Sequence, residues 1–244
     1  MSNIKFEIIL SYYKRPKMVL NALESIKNSY YKNWHLTLID DSGDDSFKED
    51  FFKFGFKKDK VDYIAVMMPD EEKIKLGGSM FGKYINDVIE NTDADVIIPL
   101  CDDDALLPDY MSNLNTFYTK NPNSMWAYCH LKYYNPQYES YKLAKSTPDN
   151  PNLNFPHMNA NTTPINPYCR VDSSQVTFRT DALLDGDIRY AYPQTANLDA
   201  DIYSKFFKKH GNCDFMGTIG QCKGWFDGQL GVKNRQGKNG FITD

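Results

Sequence analysis

The segment DVIIPLCDDDALLP, residues 95–108, constrains the fold more than any other part of the chain. Val96, Ile97, Ile98 and Leu100 make the apolar pattern of a strand buried on both faces in the middle of a parallel sheet. The carboxylates that follow, Asp102, Asp103 and Asp104, cannot continue into the core, because an unpaired buried carboxylate is too costly. They are expected at the strand's carboxyl end, where open α/β sheets bind their ligands. Three adjacent acids repel one another unless a positive charge lies among them. A hard divalent cation, Mg²⁺ or Mn²⁺, shared with a substrate's phosphates answers that need. The alternative is a turn of solvated acids before a helix that starts at Pro108, a residue suited to a first helical turn.

At 244 residues the chain has room for one large α/β domain or two small ones. Strands are expected over 4–10, 35–39, 61–67, 95–100, 126–131 and 174–178. Helices are expected from about Pro16, over 79–91, from Pro108 and over 198–209. Through residue 131 this is a βαβ pattern, which calls for a mainly parallel sheet covered by helices. Residues 135–170 are rich in proline and asparagine and read as a functional or mobile loop. The last ~25 residues, rich in Gly, Lys and Asn, read as extended or mobile. No linker divides the chain.

Net charge is −4 with no basic block, which argues against a nucleic-acid partner. The N-terminus does not read as a signal peptide, and no segment approaches the ~20 apolar residues of a membrane span. The five cysteines are scattered without CxxC spacing, so neither a disulfide framework nor a zinc site is expected. These features predict a cytoplasmic protein. His130 and His157 have no partners at metal-ligand spacing.

Four segments then line up: IILSYYKRP (8–16), LIDDSGDD (38–45), PLCDDDALLP (99–108) and NLDADIYSKF (197–206). In this order and spacing they resemble the family 2 glycosyltransferases of the GT-A fold. The resemblance implies one α/β GT-A domain over 1–244, with a Rossmann-like, mainly parallel central sheet flanked by helices. It also implies a nucleotide-sugar-binding half, 1–131, and a smaller acceptor-binding half, 132–244, carrying the loop and the tail. Family members commonly read Asp-Asp-Gly-Ser where this chain has Asp40, Asp41, Ser42, Gly43. Many have an acid at the position of Cys101, and an adjacent Glu-Asp where this chain has Asp199, Ala200, Asp201.

Carried over residue by residue, the resemblance makes Asp104 a metal ligand and turns Asp102 towards the same cation or the donor's ribose. It puts Asp103 in the donor site and gives Asp41 a uracil N–H to accept. Tyr13 would stack on the base and Arg15 approach phosphate. Asp199 would be the general base, with Asp201 in reserve. Each has a plainer alternative: Asp41 could cap the next helix with Ser42, Tyr13 could be core, Arg15 solvated, and Asp199 a helix cap. Trp126, Tyr133, Tyr134, Tyr138 and Tyr141 could stack on sugar or simply pack. Lys233 and Arg235 could close over a diphosphate or be solvated.

The implied activity is a metal-dependent, inverting transfer of sugar from a nucleotide-diphosphate donor, UDP preferred, to a saccharide or other hydroxyl acceptor in glycan or polysaccharide synthesis. The cofactor would be Mn²⁺ or Mg²⁺, and peripheral recruitment to a membrane stays open. A sugar-phosphate nucleotidyltransferase would need a glycine-rich phosphate loop, and SYYKRP has no glycine. A non-catalytic carbohydrate- or cation-binding protein would have no reason to gather Asp41, Asp104 and Asp199 in one crevice.

Overall fold

The computed structural model of the chain describes residues 3–146, 161–168, 170–185, 188–193 and 198–226. The strands are β1 (Phe6–Tyr12), β2 (Trp34–Asp40), β3 (Val61–Ala65), β4 (Val96–Cys101), β5 (Ala105–Leu106), β6 (Trp126–Tyr134), β7 (Val176–Arg179) and β8 (Asp214–Gly224). The α-helices are α1 (Pro16–Lys27), α2 (Lys48–Lys53), α3 (Asp70–Leu76), α4 (Phe81–Asn91), α5 (Tyr110–Lys120), α6 (Thr180–Asp185) and α7 (Leu198–His210). All the strands join one sheet in the order β3-β2-β1-β4-β7-β6-β8-β5.

The first half of the sheet is parallel, as the βαβ pattern predicts, with β1 between β2 and β4 and β3 outside β2. Side-chain alternation explains the layers. Phe6, Ile8 and Leu10 of β1 and Val96, Ile98 and Leu100 of β4 share one core with Val19, Leu23 and Ile26 of α1 and Leu114 of α5. Ile9 and Ile97 point the other way, into a second core with Ile85 and Ile89 of α4 and Ile202 and Phe206 of α7. The central strands are therefore buried on both faces. Each such aliphatic side chain contributes about 1.5–3 kcal/mol.

The structure refines several expectations. The helix expected from Pro108 starts at Tyr110. Leu107 N–H bonds the Gly220 carbonyl at 2.9 Å, which draws Ala105 and Leu106 into a short strand on β8 instead. The start of the tail, expected to be extended or mobile, is extended: it belongs to β8, which pairs with β6 in parallel and β5 in antiparallel sense. Within the expected loop, Tyr141 is buried and Ile165 exchanges backbone hydrogen bonds with Cys213 at 3.0 and 2.7 Å. Helices α2, α3 and α6 were not anticipated. The stretches 147–160 and 227–244, with His157, Lys233 and Arg235, lie outside the described residues.

Strand polarity decides where the functional groups can gather. β7 runs antiparallel to β4 and to β6, so β6 and its parallel neighbour β8 run with β1, β2 and β4. The carboxyl ends of β1, β2, β4 and β8 and the start of β7 thus share one edge. Among the described residues no helix is long and apolar enough to cross a membrane.

Candidate active site

β1 is the topological switch point, because its neighbours β2 and β4 are reached by connections that leave in opposite directions. Such a point opens a crevice at the strands' carboxyl ends. The loop after β1 folds into it with Lys14 at φ 50°, a conformation rare for a side-chain-bearing residue. Two bonds hold that loop: Tyr13 N–H to Asp102 Oδ2 at 2.9 Å and Lys14 N–H to Ser42 Oγ at 3.1 Å.

On the β2 side, Asp41 is buried and is not a helix cap, since α2 begins at Lys48. Lys73 of α3 lies 3.0 Å from Asp41 Oδ1 and also donates to its carbonyl, while Ser79 Oγ donates to Oδ2 at 2.7 Å. The same ammonium sits 5.7 Å from the centre of the Tyr13 ring, whose hydroxyl bonds Asp70 at 2.8 Å. Tyr13, Asp41 and Lys73 therefore form one patch: an aromatic face beside an acceptor and a donor.

On the β4 side all three acids are buried. Arg15 is engaged by them: its Nη1 donates to Asp102 Oδ1 at 2.9 Å and to Asp103 Oδ2 at 3.3 Å. Asp104 receives the Gly224 N–H on Oδ1 at 2.9 Å and the Lys223 ammonium on Oδ2 at 3.2 Å. A side chain at Gly224 could not be accommodated, because its Cβ would lie 2.1 Å from the Asp103 carbonyl oxygen. Burial drives the Asp104 carboxyl up to about 8 against the opposing pull of Lys223. Burial likewise lifts Asp102 to about 7 despite Arg15.

Lys223 bonds a further acid, Asp172, at 3.0 Å. Asp172 caps the 3₁₀ turn Ser173–Gln175 just before β7, accepting from Ser174 N at 3.2 Å and Ser174 Oγ at 2.7 Å. Asp199, in the first turn of α7, faces this group: burial, then the Asp172 charge, push its carboxyl up, and Lys223 pulls it down. Asp201 points elsewhere, forming a surface ion pair with Lys205 at 2.7 Å.

The sequence reasoning passed over Lys73, Asp172 and Lys223. A lone lysine carries no local signal of burial, but Asp172 to Gln175 spells a capping box, and both of its reciprocal bonds are present. The tyrosines expected to stack on sugar divide: Tyr133 and Tyr141 are core, Tyr134 donates to the Asp103 carbonyl at 3.0 Å, and Tyr138 is exposed. Trp126 is fully buried, donating to the Asn212 carbonyl at 2.9 Å. His130 bonds the Asn161 carbonyl at 2.8 Å.

The sequence profile described as glycosyl transferase family 2 matches residues 7–180, a span that contains every crevice residue except Asp199, Lys223 and Gly224. The chain belongs to glycosyl transferase family 2. Its fold is similar to that of S. aureus TarS 1-349 in complex with UDP-GlcNAc, at 15% identity and TM-score 0.65, over 93% of this chain and 60% of that one. It is also similar to the mannosyltransferase PcManGT from Pyrobaculum calidifontis in complex with GDP-Man and Mn²⁺, at 10% identity and TM-score 0.63, over 96% of this chain and 61% of that one. The family 2 chain thus spans about three fifths of each of these structures. No protein of curated function matches it.

The residues of this family 2 chain fit a divalent cation. Asp102, Asp103, Asp104, Asp172 and Asp199 crowd one crevice, where Arg15 and Lys223 are the countercharges among the described residues. Cys101, Asp103 and Asp104 bring one ligand atom each to within 4.8 Å of the others. The oxygens suit a hard ion. Burial and the Asp104 charge keep the Cys101 thiol protonated, a poor ligand for such an ion. Asp102, expected as a second ligand or a ribose partner, accepts from Arg15 and from the Tyr13 N–H.

Proposed function

We propose that the chain is an inverting glycosyltransferase that moves a sugar from a nucleotide-diphosphate donor, UDP preferred, to a hydroxyl acceptor with the help of Mn²⁺ or Mg²⁺. One observation supports this: Asp41 and Asp104, from separate segments, lie just past the ends of β2 and β4 on one sheet edge, and Asp199 is near enough to Asp172 and Lys223 for their charges to act on it. A non-catalytic binder needs no such convergence. The complexes of TarS with UDP-GlcNAc and of PcManGT with GDP-Man and Mn²⁺ support the donor class.

In this proposal the base stacks on Tyr13. Asp41 accepts a ring N–H while Lys73 donates to the adjacent carbonyl, a pairing that uracil satisfies and that guanine satisfies too. Asp102, fixed by Arg15, orients the ribose. Asp103 and Asp104 would hold the cation, which would offset the charge gathering on the leaving diphosphate. Asp199 accepts the acceptor hydroxyl's proton as its oxygen bonds the anomeric carbon from the side opposite the diphosphate. The electron pair of the broken C–O bond leaves with the diphosphate, so a single displacement inverts the centre. A carboxyl lifted by burial is the stronger base for that step. The residues 1–131 serve the donor, and 132–244 the acceptor, in a cytoplasmic setting.

Thermal-shift titration with UDP, with and without Mn²⁺, tests the donor assignment. Saturating UDP at 100 times Kd should stabilise the protein by about 2.7 kcal/mol when Mn²⁺ is present. Asp104→Asn should weaken that binding at least about tenfold and leave the fold intact. UDP affinity indifferent to chelator would remove the cation from the mechanism.

A further inference from the structure

Lys223 is an unusual residue to find beside a metal-binding carboxylate. It lies on a paired strand, is 8% exposed, and its ammonium bridges Asp104 Oδ2 at 3.2 Å and Asp172 Oδ1 at 3.0 Å. With the Gly224 N–H on Oδ1, both oxygens of Asp104 are engaged by the chain itself. A divalent ion approaching Asp104 therefore meets a fixed positive charge on the same carboxylate. At such separations like charges repel strongly in a partly desolvated site.

We propose that Lys223 is a resident cation that keeps Asp103 and Asp104 from taking up a divalent ion until a nucleoside diphosphate arrives, so that metal and nucleotide load together. This rests on the donor class proposed for the same site. The second partner makes such loading workable. Asp172 is anchored by Ser174 and offers the ammonium a second carboxylate at 3.0 Å. The flexible lysine stem lets the ammonium lean towards Asp172 when Asp104 turns to a metal. The diphosphate supplies the negative charge that makes a second cation tolerable next to the first. A lysine that merely braced the turn would act with the opposite sign, since weakening the brace would loosen the ligands and lower metal affinity.

The experiment is a Mn²⁺ titration of the intact protein by electron paramagnetic resonance of free Mn²⁺, with and without UDP, on wild type, Lys223→Gln and Lys223→Arg. Glutamine keeps donors for Asp104 and Asp172 but removes the charge; arginine keeps the charge. Lys223→Gln is expected to bind Mn²⁺ alone at least about tenfold more tightly than wild type, and to show less enhancement of Mn²⁺ binding by UDP. Lys223→Arg is expected to keep the wild-type enhancement. Unchanged or weaker Mn²⁺ binding by the folded glutamine variant would overturn the proposal. Should that variant not fold, Asp172→Asn replaces it. With no second carboxylate to lean on, its Mn²⁺ affinity in the presence of UDP should fall at least about tenfold, and an unchanged affinity would equally defeat the idea. If wild type binds UDP only with Mn²⁺ while Lys223→Gln behaves as wild type, the loading order is wrong and the donor assignment stands. If wild type binds neither, both are wrong.

Discussion

At the amino end of the central strands, buried Glu7 is bonded by His35 Nδ1 at 3.2 Å, Thr37 Oγ1 at 2.7 Å and Thr92 Oγ1 at 3.0 Å. At the carboxyl end of the same strands, Asp102, Asp103, Asp104, Asp172 and Asp199 share two countercharges among the described residues, Arg15 and Lys223. The difference separates two uses of a buried acid. Glu7 has collected partners for both oxygens, so it ties β1, β2 and the turn before β4 together and asks for nothing more. Among the described residues the other cluster gathers more acids than countercharges, and burial lifts its Asp102 and Asp104 carboxyls. An unbalanced cluster of that kind persists in a fold where an incoming ligand completes the balance.

Breaking the unbalanced end should produce the largest effect. Asp199→Asn is expected to cut turnover by about 10²–10⁴-fold while donor and Mn²⁺ binding stay near wild type. A helix cap would barely notice the change, since Asn caps almost as well as Asp. The wild-type kcat/KM should rise with pH and level off above the Asp199 value, which burial and Asp172 hold above the usual carboxylate range. That rising limb should vanish in the asparagine variant; its persistence would move the base elsewhere.

Breaking the balanced end should cost stability and nothing else. Glu7→Ala leaves two threonine hydroxyls and an imidazole without their partner, so denaturant unfolding should show a loss of about 2–4 kcal/mol. UDP affinity of the folded fraction should not change, and a drop there would mean that the two ends are coupled. The finest distinction is the pH response of His35. Its hydrogen bond to Glu7, opposed by burial, holds the ring above its ordinary 6.5. Protonated His35 therefore contributes stability that is complete below 6.5 and fades as pH rises through its folded value. Wild type should lose about 1–3 °C of Tm across that window and His35→Gln should not; parallel curves would remove His35 from the account.

The parallel half of the fold and the donor-side acids were readable because both rest on local pattern. Unbroken apolar runs such as Val96 to Leu100 fix a two-face strand, and acids after such a run have only the crevice to enter. In the far half β7 and α7 are readable too, but β5 and β8 are not, because they are made by their partners. β8, with Gly217, Gly220 and Gly224 along it, has no strand pattern of its own and pairs by lying between β6 and β5. Gly220 is needed there for the same reason, since a Cβ would meet the Tyr110 ring at 2.3 Å. The burial of Lys73 and Lys223 follows from tertiary position, which charge and spacing do not encode. Asp199 stands ahead of Asp201 on the resemblance alone, and the ion pair of Asp201 with Lys205 is what the structure adds.

The placement of β8 also dictates when the site comes into being. The acids of the β4 turn are synthesised early, yet Asp104 meets its two donors only after residues 223 and 224 have been made and inserted between β6 and β5. That pairing is among the most distant in the sequence, and such contacts form late because loop closure must precede them. A chain with only its parallel half assembled would carry the motif without the pocket. The surroundings of Asp104 are thus completed only when β8 is in place, and the charge of Lys223 reaches the β4 acids with it.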